Sequence, residues 1–107
     1  MGDRVSIQFK DPDGKLSPAL FNHGGGMEFV RIAKAYALEL IAERNTAERY
    51  PLDRLEAATV MVDFIRFLVA KEPAKRVEHN LYIEATLGDG DNSDNGNHVI
   101  RLRKKRP

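Results

Sequence analysis

Hydrophobic and polar positions alternate cleanly over residues 4–10, with Val5, Ile7 and Phe9 on one side and Arg4, Ser6, Gln8 and Lys10 on the other. A period of two predicts a strand buried on one face and solvated on the other. Asp11-Pro12-Asp13-Gly14 follows, a fixed φ and then a residue that tolerates positive φ, which is turn chemistry. A second strand is predicted from Leu16 to about Asn22. Pro18 has no N–H for a ladder and so marks an edge position or a bulge. The two strands together make a first hairpin.

Beyond His23-Gly24-Gly25-Gly26 the period lengthens to that of a helix. Between Met27 and Asn45, residues Phe29, Val30, Ala33, Tyr36, Ala37, Leu40 and Ile41 share one arc, and Glu28, Arg31, Lys34, Glu39 and Glu43 lie opposite. Glu28 in the first turn suits the positive end of the helix dipole. A second helix is predicted over 54–71, with Asp53 and Glu56 at capping-box spacing and Pro73 just beyond its end. Its apolar positions, Val60 to Val69 for the most part, sweep about 220° of the wheel at 100° per residue. One packing face needs little more than about 100°. The second helix is therefore either sandwiched between the sheet and the first helix, or half of a homodimer interface through residues 57–70.

Alternation resumes at 80–87, with Leu81, Ile83, Ala85 and Leu87 facing one way, and again at 98–103, with His98, Ile100 and Leu102. The expected fold is α+β in the order β-β-α-α-β-β: two hairpins forming one antiparallel sheet, with two helices on one face. Residues 88–97 would then be the tip of the second hairpin, although a stretch this long exceeds the usual two to five residues for such a loop.

At 107 residues the chain fits one domain, expected to span 1–107 with 103–107 as a disordered basic tail. With 42% apolar and 31% charged residues it lies outside the intrinsically disordered class. It has no Cys, which removes disulfides, thiolate nucleophiles and Cys-ligated zinc or iron–sulfur sites, and fits a reducing, cytoplasmic setting. No apolar run approaches the ~20 residues of a membrane span, and the N-terminus lacks a signal pattern. The net charge is +1, but 101–107 carries five cations, so the remainder stands at −4.

Three places carry candidate chemistry. The first is 88–97, where Asp89, Asp91 and Asp94 sit among Asn, Ser and Gly, the hard oxygen donors that a divalent cation such as calcium takes. It is not an EF-hand: starting from Asp91, the twelfth position is Leu102 instead of a bidentate Glu. The same residues also make ordinary polar turns. The second is Gly24, Gly25 and Gly26 at a strand-to-helix junction, where converging backbone N–H groups suit an anion. Walker and G-x-G-x-x-G patterns are absent, as is the G-x-S-x-G elbow that a lipase-type His-Gly-Gly-Gly requires. The third is the basic run 101–106, which attracts nucleic acid through phosphate contacts but has no interleaved aromatics to stack bases. His23 and Asp63 are the weak candidates for acid–base catalysis, with no Ser or Cys placed as nucleophile. His79 and His98 are spaced unlike any zinc pattern.

The segments SPALFNHGGGMEFV (17–30), PLDRLE (51–56), TVMVDFIR (59–66) and GDNSDNG (90–96) resemble, in order and over most of the chain, a family of small uncharacterised prokaryotic, mainly archaeal, proteins. In that family an aromatic residue often follows the His, where Gly24 stands here. The resemblance implies no activity. The reading these features favour is a non-catalytic binding or interaction module. Its rivals are a small hydrolase or nucleotide-acting enzyme around His23 and Asp63, and a nucleic-acid-associated protein that uses the tail.

Overall fold

The computed structural model describes residues 3–46, 56–71 and 81–102. Strands β1 (Val5–Lys10) and β2 (Ala19–Asn22) are followed by helices α1 (Gly26–Thr46) and α2 (Ala57–Lys71), then by β3 (Leu81–Glu84) and β4 (Asn97–Arg101). The class is α+β, with the expected order of elements.

The sheet is not the antiparallel one expected. Its strand order is β3-β2-β1-β4, and β4 runs parallel to β1, pairing Ser6 with Asn97 through to Lys10 with Arg101. β2 pairs antiparallel with both β1 and β3. The first hairpin forms, but the second does not, because β3 and β4 occupy opposite edges of the sheet. Both run in the direction of β1, so the connection between them must cross the sheet, which takes about a dozen residues. Residues 85–96, with a short 3₁₀ turn at Leu87–Asp89, are that crossover. This accounts for a length that no hairpin tip needs.

The helices lie on the face presented by Val5, Ile7 and Phe9. The Phe9 ring meets Tyr36 and Phe64 edge-on at 6.0 and 5.5 Å, and Phe29, Val30, Ala33, Ala57, Val60, Met61, Ile100 and Leu102 complete the core. The apolar arc of α1 is buried from Phe29 to Ala37 and half-buried at Leu40 and Ile41, as its periodicity predicts. On α2 the inner residues reach the sheet, Phe67 meets Tyr36 of α1, and Val62 and Val69 stay exposed. Sheet and neighbouring helix thus cover most, but not all, of the wide arc. Among the described residues no helix is long and apolar enough to cross a membrane.

One local expectation is resolved and one changes. β2 is an inner strand, so Pro18 takes the bulge and not the edge: between the Ile7–Leu20 and Lys10–Leu16 pairs, residues 17–19 stand opposite residues 8 and 9. Pro18 precedes the strand, where Ser17 bridges the irregularity: its N–H donates to the Phe9 carbonyl at 2.8 Å and its hydroxyl oxygen accepts the Phe9 N–H at 2.9 Å. α2 starts at Ala57, and its first N–H, at 3.2 Å, donates to the carboxylate of Asp11 in the β1–β2 turn. Asp53, the cap expected from spacing, lies outside the described residues.

Candidate functional site

The unusual loop 88–97 is built against the sheet face opposite the helices, which β1 presents through Ser6 and Gln8. Both are buried, although their alternation suggests a solvated face. Gly90 lies on the ring of Phe21, so close that a Cβ there would overlap ring atoms. The Asp91 N–H donates to the hydroxyl of Tyr82 at 2.9 Å, and Tyr82 itself stacks on Phe21 with centroids 5.0 Å apart.

Polar groups then run in a chain across the sheet. The Asn92 amide donates to the Ser6 hydroxyl at 2.8 Å, and Ser6 donates to Asn97 Oδ1 at 2.7 Å. The Asn97 amide donates to Gln8 Oε1 at 3.0 Å, and Gln8 donates to the Ser17 carbonyl at 3.0 Å. Each side chain in this row donates to the next, as polar groups covered by a packed segment require.

Arg4 holds the outer end of the crossover. Its guanidinium reaches Asp91 at 2.7 Å and Asp94 at 2.9 Å, and its backbone N–H also donates to Asp94 at 3.0 Å. The Asp94 hydrogen bond, followed by the charge of Asp91, holds Arg4 above its ordinary pKa. In return the Arg4 side chain holds the Asp94 carboxyl below the usual range. Asp91 is lowered first by the Ser93 N–H and hydroxyl, with the Arg4 charge adding to them. A divalent cation at Asp91 and Asp94 would have to displace Arg4. The side chain of Asp89 lies outside the described ones. Among the described residues no group of three or more His, Asp or Glu gathers as a metal site.

The glycine turn is tightly built. The Gly24 N–H donates to the Asn22 side chain at 3.0 Å, and a Cβ on Gly25 would stand 2.6 Å from Asn22 Nδ2 and 2.8 Å from Phe29 Cβ. Gly26 has φ +55°, and its N–H donates to the Asp3 carbonyl at 2.9 Å. The Asp3 carboxylate is close by, 3.1 Å from where a Gly26 Cβ would be. A carboxylate of the chain itself therefore stands at the start of α1, where an incoming anion would approach.

The two acid–base candidates sit in different surroundings. His23 is exposed, its ring 5.0 Å from that of Tyr82 at the end of the sheet. Asp63 lies on α2, where it accepts the Tyr36 hydroxyl at 2.6 Å and Arg66 Nε at 3.0 Å. His98 donates through Nε2 to the Asn95 carbonyl at 2.8 Å, and His79 lies outside the described residues.

One residue with a central structural role escapes sequence reasoning. Asp11 is buried and accepts N–H groups from Asp13 at 3.0 Å, Lys15 at 2.9 Å and Ala57. Burial pushes its carboxyl up, but those donors, Ala57 foremost, outweigh the effect and hold it below the usual range. Its own D-P-D-G context signals only a local turn. Comparison with protein-family models, curated proteins and solved structures finds no match to this chain.

Proposed function

We propose that the chain is a non-catalytic interaction module that pairs with a second copy along the outward side of α2. The observation behind this reading is a strip of Ala58, Thr59, Val62, Arg66 and Val69, all exposed, with Val62 at 67% and Val69 at 39%. The two valines are one heptad apart, the spacing at which one helix meets another. Small residues beside them let two helices approach closely, and the Arg66 stem adds apolar length below its charge.

The rivals have less behind them. Asp63 is engaged by Tyr36 and Arg66, and its placement on α2 does not favour a dyad with His23. The tail at 103–107, on which a nucleic-acid role would rest, lies outside the described residues. The resemblance to small prokaryotic proteins carries no activity and leaves this reading unchanged.

Light scattering over a concentration series tests the proposal. Self-association that Val62→Glu abolishes while the circular dichroism spectrum stays unchanged is the expected result. A strict monomer at high micromolar concentration removes it.

A further inference from the structure

We propose that Asn95 is a site of spontaneous deamidation gated by the crossover, reacting only when residues 85–96 lift from the sheet. Asn95 is followed by Gly96, which has no side chain to obstruct attack by its own backbone nitrogen on the preceding side-chain carbonyl. That nitrogen loses its proton and bonds to Asn95 Cγ. The side-chain nitrogen leaves as ammonia, and water opens the resulting succinimide to aspartate or isoaspartate. The balance is one amide and one water giving one acid and one ammonia, with no oxidant or reductant.

In the closed fold each reacting group is held. The Gly96 N–H donates to the Asn92 carbonyl at 2.7 Å, so the attacking nitrogen keeps its proton. The Asn95 backbone N–H and side-chain amide both donate to the Arg4 carbonyl, at 2.9 and 3.4 Å, so the leaving group is tied to the start of β1. Arg4 also carries the ion pairs to Asp91 and Asp94, so lifting the crossover releases the Asn95 amide and both ion pairs together, and the Gly96–Asn92 bond, internal to the crossover, opens once that support is gone.

The product does not fit the closed fold. A carboxylate at 95 cannot donate to the Arg4 carbonyl, and it adds negative charge beside Asp94. Isoaspartate would lengthen the backbone just before the Gly96 carbonyl, which accepts the Ser6 N–H at 3.0 Å and sets the register of β4. Modification thus turns a transient opening into a lasting one. This inference is independent of pairing through α2.

The test incubates the intact chain in mildly alkaline buffer, native and in concentrated urea, and follows residue 95 by peptide mapping. The native rate should be at least about 100-fold below the urea rate, because reaction passes through a rare opened state. Asp94→Asn should raise the native rate about threefold by weakening the clamp, and leave the urea rate unchanged. Asn95→Gln should abolish the urea signal. Equal rates in native buffer and urea, no response to D94N in the native state, or a signal that survives N95Q would each overturn the proposal.

Discussion

Gly90 sits against the outer end of the Phe21 ring, whose atoms occupy the space that any side chain at position 90 would need. Phe21 is fully buried, so the ring has nowhere to move. Gly90→Ala should therefore destabilise the protein by about 1–3 kcal/mol, as overpacking does. Urea denaturation would measure it. In a Phe21→Leu background the added cost of G90A should shrink, and additive effects in the double-mutant cycle would show that the two residues are not coupled.

Asp11 ties the first turn to a helix 46 residues away in sequence. Asp11→Ala removes that cap and leaves three N–H donors short of a partner, at a cost of about 1–3 kcal/mol. The loss should appear in thermal unfolding. Lys15→Ala should be nearly neutral, because the Lys15 contribution to the clamp is its backbone N–H, which the substitution retains.

Ser6 both donates to Asn97 and accepts from Asn92 beneath the crossover. Ser6→Ala would strand an amide oxygen and an amide N–H, and about 1–3 kcal/mol should be lost. Amide exchange at residues 92–97 should quicken more than exchange in α1. Uniform quickening would contradict a role local to the crossover.

Asp11, Asp91 and Asp94 all have carboxyls held below their ordinary value of 3.8. A depressed folded pKa adds stability that is complete above the unfolded value and lost as pH falls through the folded one. Stability should therefore be level near neutrality and decline below pH 3.8, as these three groups take up protons. Stability measured across acid pH should show a smaller decline in Asp11→Asn, which has no carboxyl to protonate at that position. An unchanged profile would remove Asp11 from the account.

Much of the architecture was legible in the chain. The period-2 face of Val5, Ile7 and Phe9 and the 3.6-period arc from Phe29 to Ile41 both report burial against a core, and both lie where they should. The excess apolar width of α2 was legible too, and Val62 and Val69 are the part that sheet and α1 leave uncovered. At 88–97 the composition marked something unusual without saying what. Asp91, Asn92, Asp94 and Asn97 suit a cation in outline, yet their oxygens and amides meet Arg4 and Ser6.

The sequence by itself determined the kinds of element, their order and the core-facing residues of β1, α1 and most of α2, because local periodicity records one-sided burial. The alternation at 80–87 is the exception, since β3 ends at Glu84 and Ile83, Ala85 and Leu87 are exposed. Tertiary structure alone decided that β4 joins β1 in parallel, that 85–96 crosses the sheet, and that Asp11 caps α2. The physical reason is the same in each case. A hairpin loop and a crossover differ in which strand edge receives the next strand, and that choice leaves no pattern in the strands themselves, only a connection too long for a hairpin tip. A polar face such as Ser6 and Gln8 is satisfied equally by water or by a distant segment, so alternation alone cannot tell solvent from a covering chain.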